Sequence, residues 1–299
     1  MASRRKQKKP TRQGFNDRFP GLVWAISAFG IIGAAVTLLF VIPAPHESKP
    51  SRRPVLEDFS TAPPPCEPEH ASREELERSG PVAAIIIDDM GYDFRIDSAF
   101  LEIEAPLSFA FLPSAPHTRE LALRAHEYGK DILVHLPMEP MKKEIDPGPG
   151  ALYLDMNFNT MLRTVRRAIK SVPGASGVNN HMGSRFTADR RAMEVVLNEL
   201  KRHGLFYIDS RTTEHTVGFS TARALGIPSA ERTVFLDHDH RRNAIKRGLD
   251  QLVWMSEKRG SALAIGHPLP ETLSVLYDAL PVLRKKVRLV PVSKMLSSP

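Results

Sequence analysis

Asp88 and Asp89 stand side by side at the end of the apolar run Val82-Ala83-Ala84-Ile85-Ile86-Ile87. Adjacent carboxylates repel one another unless a cation or a shared proton relieves them, so the pair suits a metal site or an acid/base pair. The plainer alternative is that one caps a following helix while the other is solvated. Further along the chain, apolar runs end at His135, His181, Asp209, Asp237-His238 and His267. A lone histidine after a strand is more often a cap or a satisfied core residue than a ligand. Repetition at successive strand ends changes that balance, because such ends converge on one mouth in a barrel. His and Asp together suit Zn2+ or a similar first-row metal with an open coordination position. The short run Asp237-His238-Asp239-His240 reads as a solvated loop and stays outside the core of this set.

The elements that must position these residues are readable from Pro81 onward. A continuous apolar run such as 82–87 reads as a strand buried on both faces, as in parallel sheets. Further strands are expected over 107–111, 131–134, 177–180, 205–208, 233–236, 261–265 and 287–292. Amphipathic helices are expected between them, over 94–103, 117–128, 159–172, 187–203 with Thr187 as N-cap, 221–225, 241–259 and 271–280. This alternation predicts βα units and a (β/α) barrel of about seven to eight mainly parallel strands, closed or nearly so.

The net charge of +7 over 299 residues is uneven. Residues 1–42 carry seven basic side chains (Arg4, Arg5, Lys6, Lys8, Lys9, Arg12, Arg18) against Asp17, leaving 34 basic and 33 acidic residues for the rest. The near-neutral body argues against a nucleic-acid partner, which needs Lys and Arg clustered on the folded domain. Residues 21–42 hold no charged side chain. At about 1.5 Å per residue they span a hydrocarbon core of about 30 Å. Preceded by a basic arm over 1–20, they read as a single-pass inner-membrane anchor with a cytoplasmic N-terminus and an exported, periplasmic domain. A cleaved signal peptide is the alternative. Residues 43–80 are rich in proline and charge and read as an extended linker, and the folded domain is expected over 81–299. Cys66, the single cysteine, lies in the linker, so no internal disulfide can form.

Ile86-Ile87-Asp88-Asp89 resembles the first motif of polysaccharide deacetylases, which remove N- or O-acetyl groups from glycans. Val134-His135-Leu136-Pro137-Met138-Glu139-Pro140 stands in the place of that family's second motif, a His-x-x-x-His-Pro metal box. Ile265-Gly266-His267-Pro268 resembles its last motif, which ends in a catalytic histidine. With the blocks Gly177–Phe186 and Tyr207–Arg211, the chain is similar over 81–292 to the divergent branch of the family. The resemblance implies that Asp88 is a general base, that Asp89 and His135 are metal ligands, that His267 is a general acid, and that the cofactor is a divalent cation, most readily zinc. Two departures touch the site itself. Glu139 replaces the second histidine of the metal box, and the Arg-Pro third motif is absent, with the segment around His181 in its place. The third ligand is therefore His181 or Glu139, and the position of His181 directly after a strand favours it. Asp209 could orient a catalytic group or pair with Arg185 or Arg211. Asn180, Arg185 and Tyr92 are the expected substrate contacts, although the amides of Asn179 and Asn180 equally suit turn closure.

The resemblance thus implies a membrane-anchored, metal-dependent hydrolase acting on acetyl groups of a cell-envelope polysaccharide or peptidoglycan-like glycan. The altered metal box leaves a second reading, a catalytically inactive glycan- or metal-binding scaffold on the same barrel. A phosphoryl-transfer hydrolase has no Gly-rich phosphate loop to support it.

Overall fold

The computed structural model of the chain describes residues 80–296. The expected arm, anchor and linker lie outside the described residues. Among the described residues, no helix is long and apolar enough to cross a membrane. The elements in order are β1 (Val82–Met90), α1 (Phe94–Leu101), β2 (Ser108–Phe111), α2 (Thr118–Glu127), β3 (Asp131–Met138), α3 (Phe158–Ser171), β4 (Gly177–Met182), α4 (Arg190–Arg202), β5 (Phe206–Asp209), α5 (Gly218–Ala224), β6 (Ser229–Glu231), β7 (Val234–Phe235), α6 (Arg242–Arg259), β8 (Ser261–Gly266), α7 (Pro270–Lys286) and β9 (Arg288–Leu289). Short 3-10 turns cover Phe186–Ala188 and Val292–Met295.

The strands form one parallel α/β sheet in the order β6-β5-β4-β3-β2-β1-β8-β7, with β9 beside the first residues of β1. The hydrogen-bonded path is open, a half-barrel, where a barrel closed or nearly so was expected. The reason lies in 229–235, expected as a single strand over 233–236. Its first part pairs with β5 (Tyr207↔Ser229 to Asp209↔Glu231) and its last part with β8 (Val234↔Ala264, Phe235↔Ile265). Only Arg232 and Thr233 separate the two parts, whereas parallel neighbours need a crossover of about a dozen residues. β6 and β7 therefore cannot pair with each other, and one stretch of chain joins both edges of the sheet.

Side chains alternate across each strand, and the two faces build two apolar layers. The inner layer holds Ala84 and Ile86 of β1, Leu133 of β3, Phe206 and Ile208 of β5, and Leu263 and Ile265 of β8. The outer layer, under the helices, takes Ala83, Ile85, Ile87, Val134, Val178 and Tyr207. Burial of both faces is what makes the strands read as continuous apolar runs. Val292 belongs to the inner layer, and its N–H donates to Ser108 Oγ at 2.9 Å, at the start of β2. The C-terminal turn thus closes the end of the half-barrel opposite the carboxyl ends of the strands.

Strict alternation would send Asp88 inward and Asp89 outward. A bulge prevents this: Ile87 is paired with Phe109 but Met90 with Phe111, so β1 carries one extra residue between them. Asp89 sits in that extra stretch with φ of +56°, a left-handed conformation unusual for a residue with a Cβ.

Two helix ends and the last strand also depart from expectation. Asp189, not Thr187, caps α4 by accepting from Ala192 N–H at 2.9 Å, and Thr187 lies in the preceding 3-10 turn. α7 runs past Leu280 and through Pro281, because Leu283 on its last turn is buried in the outer layer. The last strand is two residues long, since the chain after Leu289 turns to form the C-terminal plug.

Candidate active site

The inner alternation of four strands, carried past the apolar layer, lands on Asp88, His135, Asn179, His181 and His267. The bulge adds Asp89. Asp89 Oδ1 lies 3.0 Å from His135 Nε2 and 2.8 Å from His181 Nδ1. The two ring nitrogens are themselves 3.1 Å apart. Asp89, His135 and His181 form the one metal-capable cluster found among the described residues.

Three observations make this triangle fit a cation. Asp89 Oδ1 is buried and faces the two imidazole nitrogens. His135 Nδ1 lies 2.8 Å from Asn179 Oδ1, so the amide oxygen receives that N–H and leaves Nε2 as a lone pair facing the triangle. The donor spacings approach the roughly 3.3 Å separation implied by tetrahedral bonds of about 2.0–2.1 Å. Three facing lone pairs repel unless a cation, or a proton on His135, lies between them. The charges register this. Burial works to lower the pKa of His135, but the charge of Asp88 and the hydrogen bond and charge of Asp89 push it up to about 9. For Asp89 burial works upward, and the hydrogen bonds and charges of His135 and His181 outweigh it, holding the carboxyl far below the usual carboxylate range.

Asn179 does a second thing. Its Nδ2 donates to Asp88 Oδ1 at 2.7 Å, with Ser210 Oγ at 3.3 Å. The same bond tells which end of the amide carries oxygen, because Asp88 needs the donor. The other Asp88 oxygen, Oδ2, is 3.7 Å from His135 Nε2 and so borders the triangle. Burial raises the pKa of Asp88, against the pull of His135 and His267, which makes it a better proton acceptor than an ordinary aspartate.

His267 enters from β8 on the other side, with Nε2 3.9 Å from Asp89 Oδ2. Its Nδ1 donates to Asp237 Oδ1 at 2.8 Å, and its backbone N–H donates to Asp237 Oδ2 at 2.6 Å. Thr272 Oγ1 donates to the same Oδ2 at 2.8 Å. Burial would lower the pKa of His267, but the hydrogen bond and charge of Asp237 reverse the sign and raise it. A histidine whose Nδ1 is held in this way presents Nε2–H to the cleft and can donate it. Phe235 packs against the imidazole at a centroid distance of 5.3 Å, and the Arg232 guanidinium lies over the Phe235 ring at 4.9 Å.

The remaining expected residues are placed differently. Glu139 accepts from Arg185 Nη1 at 2.5 Å and from Leu154 N–H at 2.8 Å, so its carboxylate ties the loop after β3 rather than joining the triangle. Arg185 is held in the same pair. Asn180 and Asp209 follow the outer alternation of β4 and β5. Asn180 Oδ1 accepts from Tyr207 OH and Ser210 N–H, and its Nδ2 donates to Met182 O. Asp209 accepts from Arg211 N–H, Thr216 Oγ1 and Phe219 N–H. Both therefore pin loops on the helix side, and neither is paired with a member of the triangle. Arg211 gives its guanidinium to Glu231 instead. Tyr92 is exposed and lines a cavity of about 260 Å3 with Asp89, His181, Pro113, Pro137 and Asp146, directly over the triangle. Sequence reasoning missed Asn179 and Asp237. The available signal was parity: both fall on inner positions, Asn179 two residues before His181 and Asp237 two after Phe235.

Comparison with known proteins agrees with the motifs. A family model described as divergent polysaccharide deacetylase matches residues 85–296. The uncharacterized protein YibQ of Escherichia coli is 36% identical over 216 residues, which cover 72% of this chain and 67% of that protein. An uncharacterized protein of Haemophilus influenzae is 37% identical over 207 residues, covering 69% and 74%. The crystal structure of the uncharacterized protein ATU2773 from Agrobacterium tumefaciens shares the fold, with a TM-score of 0.69 at 22% identity, over 74% of this chain and 94% of that one.

Proposed function

The chain belongs to the divergent polysaccharide deacetylase family, and we propose that it is a metal-dependent hydrolase that removes acetyl groups from a cell-envelope glycan. The observation that carries this reading is the triangle of Asp89 Oδ1, His135 Nε2 and His181 Nδ1 at 2.8–3.1 Å, flanked by Asp88 and His267. These three residues would hold a divalent cation, most readily zinc, whose role is to polarise the acetyl carbonyl and acidify water. The protein's own groups divide the proton traffic. Asp88 Oδ2 takes the proton of the attacking water, while Asn179 fixes Oδ1 on the far side of the carboxylate. His267 Nε2 gives its proton to the departing nitrogen or oxygen, and Asp237 keeps the ring in the tautomer and orientation that allow it. Asp88, buried with a raised pKa, accepts a proton more readily than an ordinary aspartate, and the charge of Asp237 favours the protonated form of His267. The cavity under Tyr92 and Pro113 gives the acetylated sugar its approach. The anchor expected over 21–42 would keep the domain at the outer face of the inner membrane, beside such a glycan.

Metal analysis of the purified protein, joined to acetate release from acetylated envelope glycans, tests the reading. Wild type should hold about one divalent cation and release acetate. Asp88→Asn should keep the metal and lose turnover by roughly 10²–10⁴-fold, the usual contribution of general acid–base catalysis. A wild-type protein that takes up no metal and releases no acetate overturns the proposal and leaves a scaffold on the same fold.

A further inference from the structure

The bulge that turns Asp89 inward must itself be held. Its backbone is fastened at three points on the far side from the triangle. Leu112 N–H donates to Met90 O at 3.0 Å, His117 N–H donates to Gly91 O at 3.0 Å, and Gly91 N–H donates to Asp97 Oδ2 at 2.6 Å. The first two are main-chain bonds to the loop after β2. The third is the only one of the three made by a side chain. Asp97 lies in the first turn of α1, fully buried, and its other oxygen, Oδ1, is buried without a partner. A buried carboxyl group with half of its hydrogen-bonding capacity unused is costly, and folding alone gives no reason to keep it. Gly91 leaves no room for a substitute contact: at φ of +120°, a Cβ there would come within 2.4 Å of Thr118 Oγ1.

We propose that Asp97 is the positioning residue of the metal centre: through Gly91 N–H it locks the β1 bulge in the conformation that delivers Asp89 Oδ1 to His135 and His181. The inference rests on the metal reading above. It assigns Asp97 no contact with the cation or the substrate. Without this acceptor the bulge is free to relax toward ordinary alternation, in which Asp89 points to the helix layer. Two residues eight positions apart are thereby coupled: the ligand on the strand and its fastening on the helix that follows.

The test is metal affinity set beside thermal stability, using zinc alone as the probe. Asp97→Ala should weaken zinc binding by roughly 10–100-fold, the usual effect of losing a group that orients a ligand. Asp97→Asn keeps an oxygen for Gly91 N–H and should bind zinc within about threefold of wild type by the same reasoning. Leu101→Ala, a buried apolar truncation on the same helix, controls for stability loss: it should lower Tm yet leave zinc affinity unchanged. If Asp97→Ala does not fold, Asp97→Glu, which moves the acceptor by one methylene, takes its place. Wild-type affinity in Asp97→Ala or its replacement, or an equal loss in Leu101→Ala, overturns the inference while leaving the metal centre standing. Failure of the wild type to bind zinc or any other divalent cation overturns the metal reading instead.

Discussion

Asn179 Oδ1 lies 2.8 Å from His135 Nδ1, while Asn179 Nδ2 donates to Asp88 at 2.7 Å. One amide therefore orients both a ligand and the base. Asn179→Ala leaves His135 free to swap tautomers and leaves a buried Asp88 oxygen bare. We expect metal affinity to fall by roughly 10–100-fold and turnover to fall further than metal loss explains. Titration calorimetry with zinc, followed by acetate release at saturating zinc, separates the two effects.

The choice between His181 and Glu139 is decided by the same kind of measurement. Asp89→Ala, His135→Ala and His181→Ala should each lose the cation, because one fewer donor leaves the others under-coordinated. Glu139→Ala should keep it, since that carboxylate is committed to Arg185 and Leu154. Its effect should appear instead as loosening of the loop after β3, read as faster proteolysis there. Full metal occupancy in His181→Ala would reject the ligand set.

Asp237→Asn should leave the metal in place and lower turnover by about 10²-fold or more. The sign of the pH effect follows from the charge it removes. Asp237 raises the pKa of His267. Without that charge His267 loses its proton at lower pH, so the alkaline limb of the kcat/KM profile should move to lower pH. NMR titration of the imidazole reads the same shift without a substrate. An unmoved limb would mean that His267 is not the acid.

Asp97 gives a stability prediction independent of metal. Burial, against the hydrogen bond from Gly91 and reinforced by the charge of Asp93, raises its pKa to about 6, with His117 pulling the other way. A raised folded-state pKa stabilises the fold at low pH, below the unfolded value near 3.8, and that contribution is lost as pH rises through about 6. Relative to Asp97→Asn, the wild type should therefore lose on the order of 2 kcal/mol between pH 4 and pH 6 and level off by about pH 7. Denaturant unfolding of both proteins across that range checks it. A difference that grows in the opposite direction would place a second titrating group at the bulge.

Much of this site was readable before the structure, and the reason is the double burial of the strands. A strand apolar on both faces ends abruptly in the sequence when it reaches the mouth, so Asp88, with Asp89 beside it, His135 and His267 announced themselves as the first polar residues after apolar runs, while His181 follows two asparagines. Asn179 and Asp237 did not, for opposite reasons. Asn179 precedes the end of its run and looked like turn chemistry, and Asp237 sits among three other polar residues and looked solvated. Each is identified only by which face it occupies, and that depends on register. Asn180 and Asp209 lie on the other face on the same ground, being one residue out of phase. The bulge was invisible because it is a mismatch between β1 and β2, and no single strand contains it. Where the barrel opens was not legible, because 229–231 pairs with β5 while 234–235 pairs with β8, and only 233–236 reads as a strand.

That shared stretch has one more consequence. The terminal strands of the sheet, β6 and β7, are three and two residues long, and the chain that links them runs straight from one to the other. Edges so short offer no row of free amides and carbonyls on which an extended polypeptide could add itself as another strand. Recognition at this mouth falls to side chains and loops. An extended peptide finds no long edge at β6 or β7 to which it could add itself as a strand.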